Sequence, residues 1–378
     1  MHLGIDASNI ISGGGLTHLA ELLKVADPFK HGFTKVTLWS NSRTLEQIVD
    51  RPWLNKIAEP LLEKAFPLRF FWQKHRLDKS LKHEKCDVLF VPGGIYSGSF
   101  RPFVTMSQNI LPFERREVLR YGFSWQYLRN RLLRRSQSRT FCQADGVIFL
   151  TEYAKSSVLS FLNKIPRACA VIPHGLDADV FCAPRPQLPA TAFSEAHPFR
   201  ILYVSLVDLY KHQWHVVEAV AKLCKAGLPV TLDLVGPAFK PALAKMLAAV
   251  SLADPAGKFI KYHGPVPFER LREYYQNSEL FVFASGCETI SNILLESMAS
   301  GLPVASSDYG AMTEILGEAG LFFDPEKPDM IAETISKYYY SPELRAEKAQ
   351  LAFARAARFS WERCAEETMS FLEGFRGK

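Results

Sequence analysis

No stretch of these 378 residues stays apolar for the ~18 positions that a membrane-spanning helix needs. The opening MHLGIDASNI has no basic segment followed by an apolar one, so no secretion signal is expected. The seven cysteines (86, 142, 169, 182, 224, 287, 364) include no C-x-x-C pair. An odd, scattered set of thiols points to free cysteines in a reducing compartment and to no zinc site. Also missing are a Ser/His/Asp set and the paired acids of a glycoside hydrolase. What is present is ordinary for a globular chain: 48% hydrophobic and 22% charged residues. The length suggests two domains of roughly 150–200 residues. Charge is uneven. Residues 1–173 hold 25 Lys and Arg against 14 Asp and Glu, and the remainder holds 20 against 25. A basic half favours an anionic surface, lipid or nucleic acid.

Short apolar runs alternate with helical patterns. LGIDAS (3–8), KVTLWS (35–40), DVLFVP (87–92), FVTMSQ (103–108), GVIFL (146–150) and ACAVIP (168–173) read as strands buried on both faces. Stretches such as 16–25 and 116–140 read as the helices between them. Residues 182–199 carry four prolines and no periodicity, which predicts a linker or boundary loop. The alternation then restarts, with strands expected at 200–205, 230–236, 259–264, 280–285, 303–307 and 321–324. A helical stretch near 343–375 ends the chain. This order predicts an α/β architecture of two Rossmann-like domains facing across a cleft. The expected division is 1–175, a linker over 176–199, a second domain over 200–355, and a last helix over 356–378 that packs back on the first domain.

Ligands of such sheets bind on loops after the strands. In ASGCETISNILLESMASGLPVASS (284–307) a strand leads through a loop into a helix beginning near Asn292, with Ser291 as N-cap and Gly301 as its stop. Such a helix start offers amides to a phosphate or to sugar hydroxyls. Glu288 and Glu296 flank it, and a carboxylate can accept two hydroxyls of a vicinal diol. The plainer reading is a solvated loop Glu and a surface helix Glu, though Ile293, Leu294, Leu295 and Met298 make an exposed Glu296 uncomfortable. In LYVSLVDLYKHQW (202–214) a strand ends near Ser205, and Lys211 at the next helix start could reach a diphosphate or simply face solvent. Gly13 to Gly15 in IISGGGLTHL form neither G-x-G-x-x-G nor a Walker A loop, so they are a backbone approach point or a flexible turn. His174 in IPHGLDADVF could donate to substrate, help set an interdomain hinge, or be structural. Residues 115–139 hold eight arginines, among them Arg115, Arg116, Arg131, Arg134 and Arg135, with interleaved aromatic and leucine residues. That pattern fits an anionic membrane surface, a nucleic-acid-binding helix, or a solvated face.

Taken in order, the glycine loop, FLTEYAKSSV, VIPHGLDADVF, LYVSLVDLYKHQW, the E-x7-E block through GEAGLFFDP, and the late FSW (359–361) resemble the retaining glycosyltransferases of family four, with the GT-B fold. The likeness is nearest to members that assemble bacterial surface polysaccharide and lipopolysaccharide. It implies a retaining, metal-independent hexosyltransferase that needs no cofactor. The implied donor is UDP- or GDP-linked. The implied acceptor is a glycan or a lipid carrier, and the implied setting is cytoplasmic, on the inner face of the inner membrane, with no nucleic acid partner. Carried over by position, Glu296 would hold the donor's ribose, Glu288 the transferred sugar, and Lys211 the leaving diphosphate. Ser205 and the run Thr289, Ile290, Ser291, Asn292 and Ile293 would line the donor, with Gly14 and Gly15 near the diphosphate and His174 at the domain junction. Two positions depart from the family: Leu206 stands where an Arg is usual, and Gln108 stands near where a His is usual. The rival readings are a nucleotide-sugar epimerase of the same fold and a nucleic-acid-binding protein.

Overall fold

The computed structural model describes residues 1–64 and 66–376 and resolves two compact units, each built on one parallel sheet. The first unit comprises Met1–Glu114, Phe123–Gly175 and Phe359–Lys378, and the second comprises Arg115–Gly122 and Leu176–Arg358. Strands β1 (His2–Asp6), β2 (Lys35–Ser40), β3 (Leu54–Ala58), β4 (Val88–Val91), β5 (Phe103–Ser107), β6 (Gly146–Phe149) and β7 (Ala168–Val171) form the first sheet in the order β3-β2-β1-β4-β5-β6-β7. Strands β8 (Phe199–Val204), β9 (Val230–Val235), β10 (Ile260–Tyr262), β11 (Leu280–Phe283), β12 (Val304–Ser307) and β13 (Gly320–Phe323) form the second in the order β10-β9-β8-β11-β12-β13. The register of neighbouring strands is parallel throughout, for example Leu3 beside Val36 and Phe281 beside Val304. Helices on both faces of a parallel sheet bury its central strands completely, which is why β4, β5, β11 and β12 read as unbroken apolar or small-residue runs, and β1 does so between His2 and Asp6.

In each sheet the strand order reverses once, between β1 and β4 and between β8 and β11. The loops that splay apart at such a point leave a crevice at the carboxyl ends of the strands. In the second unit the two loops concerned are the ones that carry Lys211 and Glu288.

The sequence pattern missed β3. Its residues LNKIA are half-exposed at the sheet edge, so polar side chains interrupt the run. The basic stretch 115–139 is not one helix. It breaks at Gly122, which takes a left-handed φ of 56°, into helices Arg115–Leu119 and Trp125–Gln143. The first piece belongs to the second unit, and the second piece to the first. The final helical stretch is likewise two helices, Pro342–Ala356 and Trp361–Glu373.

The proline-rich segment 182–199 is held firmly on the second unit. The guanidinium of Arg345 is fully buried and donates to Gln187 Oε1 at 3.1 Å, to the Tyr339 carbonyl at 2.9 Å, and to the carbonyls of Tyr338 and Leu188. It also lies 5.3 Å from the Phe199 ring and 5.7 Å from that of Phe193. In the first unit, helix Trp361–Glu373 packs on helix Gly14–Val25 through buried Trp361, Cys364, Ala365, Met369 and Leu372. Gly175 permits this approach, because a methyl there would come within 2.2 Å of the Trp361 amide nitrogen.

Candidate functional site

β8 carries the chain to Ser205, which is buried and donates its hydroxyl to the Leu206 carbonyl at 3.1 Å. The loop that follows turns back on itself. The Lys211 amide donates to the Asp208 carbonyl at 3.0 Å, and the Tyr203 hydroxyl donates to the Lys211 carbonyl. His212 then adopts a left-handed conformation, φ 52°, as the cap of helix Gln213–Lys225. Its ring is fully buried beside Trp214 and His215. Burial, and after it the charges of Arg120, His215, Lys245 and Arg116, hold His212 down to about 3. It is therefore neutral at pH 7, and Lys211 is the cation at this helix start.

The Lys211 side chain is only 8% exposed. Its Nζ sits 5.0 Å from the Phe283 ring and 5.2 Å from that of Tyr210, and it pairs with Glu288 Oε1. The same oxygen accepts the Ser285 hydroxyl at 2.8 Å. A buried cation beside a half-buried carboxylate offsets part of the desolvation of both. The pair is also a matched device for an anionic, hydroxylated ligand: one partner can turn to a phosphate while the other accepts hydroxyls.

Helix Asn292–Ala299 begins on the Ser291 cap, whose hydroxyl accepts the Leu294 amide at 3.3 Å. Leu294, Leu295 and Met298 are fully buried and fix the helix against its sheet. Thr289, Ile290 and Ser291 are buried, and Asn292 and Ile293 half-buried, so the helix start forms a wall of the unit. Gly301 ends the helix with φ 70°, and a methyl there would meet the Cys182 carbonyl at 2.6 Å. Glu296, in the second turn, is half-buried among apolar neighbours. It accepts the Tyr275 hydroxyl at 3.3 Å, and burial raises its carboxyl to about 7.

The second unit thus brings Ser205, Lys211, Glu288, Thr289 to Ile293 and Glu296 onto adjoining loops and one helix. Sequence reasoning missed Ser285, which steadies Glu288, and Tyr275, which holds Glu296 from another helix. Neither lies at a spacing that marks it.

The other expected residues lie elsewhere. Gly14 and Gly15 open helix Gly14–Val25 of the first unit, where a methyl on Gly14 would meet nothing and one on Gly15 would touch Gln108 Oε1 at 3.0 Å. Gln108 donates to the Pro92 carbonyl at 3.2 Å, so it braces two loops of that sheet. His174 is buried in the first unit, 4.7 Å from the ring of His18 and 5.7 Å from that of Trp361. It belongs to the packing that seats the last helix. The arginines divide. Arg116 donates to the Tyr309 hydroxyl at 2.8 Å and pairs with Glu326. Arg115 is exposed on the same short helix of the second unit. Arg131, Arg134 and Arg135 lie on helix Trp125–Gln143, with Arg131 5.7 Å from the Tyr127 ring and Arg134 5.4 Å from that of Phe161. A single basic helix of the expected length does not form. Among the described residues, Glu117, His212 and Glu326 bring possible metal-ligand atoms within 4.8 Å of one another. Arg120 already pairs with both carboxylates of that group, which leaves it suited to a guanidinium rather than to a metal ion.

Residues 198–340 match the family described as "Glycosyl transferases group 1". The second unit carries a group 1 glycosyl transferase domain. That domain contains Ser205, Lys211, Glu288 and Glu296, the residues whose geometry is given above. Over 112 residues the chain is 34% identical to the O-antigen chain mannosyltransferase B of Escherichia coli, covering 30% of this chain and 29% of that protein. Over 239 residues it is 28% identical to the D-inositol 3-phosphate glycosyltransferase of Acidothermus cellulolyticus, covering 59% and 52%. These matches span between about a quarter and just over half of the relatives' lengths. The fold extends well beyond the group 1 domain. Anabaena Alr3699/HepE, solved in complex with UDP and glucose, superposes with a TM-score of 0.71 at 16% identity, over 99% of this chain and 100% of that one. The two sheets therefore form the GT-B pair of Rossmann-like domains.

Proposed function

We propose that this chain is a retaining glycosyltransferase. It would move a hexose-type sugar from a UDP- or GDP-linked donor to a glycan or lipid-linked acceptor, in surface polysaccharide or lipopolysaccharide assembly. The observation that carries this reading is the pair of buried Lys211 with half-buried Glu288, set beside the start of helix Asn292–Ala299 at the strand-order reversal of a group 1 domain. The relative named as an O-antigen mannosyltransferase supports the polysaccharide setting, and the UDP held by the structural neighbour supports a nucleoside diphosphate donor. An epimerase draws no support from the same matches.

In this reading Glu296 accepts the ribose hydroxyls and Glu288 those of the sugar. The amides at the helix start, with Lys211, take the diphosphate. The bond from the anomeric carbon to the diphosphate oxygen breaks as the acceptor oxygen bonds to that carbon on the same face. The acceptor proton passes to the departing diphosphate. The protein supplies position and charge stabilisation, with no covalent intermediate and no metal or cofactor. Leu206 in place of the family's Arg leaves Lys211 as the cation for the leaving group. Lys211→Ala and Glu288→Gln are expected to lower transfer by at least about a hundredfold while the thermal transition persists. The assay is sugar transfer from the donor that shifts that transition most in a screen of UDP-, GDP-, ADP- and TDP-sugars. Wild-type rates in either variant refute the site.

The enzyme would work on the cytoplasmic face of an anionic membrane. Helix Trp125–Gln143 departs from the usual pattern of a surface helix. It buries Asn130, Gln137 and Thr140 along with Phe141, and exposes Trp125, Leu128 and Leu132, with exposed Arg129, Arg131, Arg135 and Arg139 around them. An apolar stripe rimmed by arginines complements an anionic lipid surface. No helix among the described residues is long and apolar enough to cross a bilayer, so the contact is peripheral. Vesicles containing phosphatidylglycerol are expected to sediment the wild type and to lose the variant with Trp125, Leu128 and Leu132 changed to Ser. Equal sedimentation of the two refutes the contact.

A further inference from the structure

We infer that Tyr275 is a positioning residue for the donor's nucleoside, acting through Glu296; the inference rests on the reading of Glu296 as the ribose ligand. Tyr275 lies at the end of helix Phe268–Gln276, which follows β10. Its ring is buried against Phe281 of β11, with ring centres 6.0 Å apart, and its hydroxyl reaches Glu296 Oε2 at 3.3 Å. It is the one hydrogen-bond donor to that carboxylate among the described residues, and no cation pairs with it there.

Two features separate this contact from ordinary core packing. Other tyrosines of the same unit place their hydroxyls on backbone carbonyls, as Tyr203 does on Lys211, Tyr262 on Gly236 and Tyr338 on Val304, or on carboxylates that have a lysine near them, as Tyr309 does on Asp324 and Tyr121 on Asp208. Such contacts satisfy a hydroxyl without burying an uncompensated charge. Tyr275 instead meets a carboxyl that has no counter-charge, which is costly for folding and calls for a function. The stoichiometry also fits. An ionised carboxylate offers about four acceptor positions. Tyr275 occupies one on Oε2 and locks the plane of the group, which leaves Oε1 and the second position of Oε2 for two adjacent hydroxyls. A carboxylate free to rotate would lose that orientation before each binding event. Tyr275 thereby sets how strongly the site favours a ribose over a sugar without the diol.

The test compares UDP with 2′,3′-dideoxy-UDP by calorimetry on the full chain, with the corresponding GDP pair in parallel. Wild type is expected to favour the ribonucleotide. Tyr275→Phe keeps the ring against Phe281 and removes only the hydroxyl. It is expected to weaken the ribonucleotide by about threefold to tenfold, as for one ordinary net hydrogen bond, and to leave the dideoxy form unchanged. In a Glu296→Gln background the same change is expected to alter the ratio no further. An equal loss for both nucleotides, or an unchanged ratio, overturns the inference and makes Tyr275 a packing residue. A wild type that does not discriminate overturns the ribose reading of Glu296 itself. Should Tyr275→Phe fail to fold, 3,5-difluorotyrosine at 275 keeps the shape and changes only the donor strength of the hydroxyl. An unmoved ratio there likewise overturns the inference.

Discussion

Glu296 is a residue whose proposed use and whose cost to the fold run in opposite directions, and Glu296→Gln separates them. Burial raises its carboxyl from an ordinary 4.5 to about 7, with the Tyr275 hydroxyl pulling weakly the other way. The folded-state value lies above the unfolded one. The group therefore contributes its stability at pH below about 4.5 and loses it as pH rises through about 7. At 1.36 kcal/mol per pH unit the full swing is about 3 kcal/mol. Glutamine keeps the shape and an oxygen for Tyr275 but cannot ionise. Wild type and Glu296→Gln should therefore unfold at similar temperatures at pH 5. At pH 8 the variant should be more stable, by on the order of 5 °C for a unit of this size, while ribonucleotide affinity falls. Thermal unfolding of both proteins at half-unit steps from pH 5 to 9 reads this directly. A difference in Tm that does not change with pH, or a variant less stable at pH 8, refutes the reasoning. Binding should show the mirror image. If the diol prefers the ionised carboxylate, the wild type's affinity for UDP rises through pH 7, with proton release below it, and the variant's does not.

Three further outcomes follow from packing. Arg345→Met should destabilise the second unit by about 3–5 kcal/mol, because Gln187 and three backbone carbonyls lose their donor in a buried site; urea unfolding with an unchanged midpoint counts against it. Gly301→Ala should cost at least about 1–2 kcal/mol, from a left-handed φ and a methyl pressed on the Cys182 carbonyl; a neutral effect in the same assay shows that the helix stop yields. Trp361→Ala should remove the partner of His18 and His174 and cost about 3–5 kcal/mol in the first unit. Limited proteolysis should then cleave the last helix first, and resistance equal to wild type shows that the helix is seated by other contacts.

Much of the architecture was readable because parallel sheets covered on both faces demand apolar runs, and strands are expected at twelve of the thirteen positions where they occur, even where a polar residue such as Asp233 or Lys261 interrupts the run. β3 was missed because its edge run LNKIA carries Asn55 and Lys56 side by side, half-exposed. The helix start at Asn292 was readable from Ser291 and Gly301, since a cap and a left-handed stop are local chemistry. Long-range partners were not. Nothing in residues 268–276 announces that the hydroxyl of Tyr275 ends on Glu296, and nothing in ASGCET announces that Ser285 and Lys211 share one oxygen of Glu288. The arginine stretch misled for a physical reason: composition counts charge, but a single glycine at 122 with positive φ decides which unit each arginine joins. Arg116 then finds Tyr309 and Glu326, while Arg131 and Arg135 stay with a helix that turns its tryptophan and leucines outward. Over 182–199 the prolines give a loop, as expected, but do not give how it is held. Proline fixes backbone shape but does not say whether the segment is free, and here a buried guanidinium donates to the Leu188 carbonyl and the Gln187 side chain, which would otherwise bond to water.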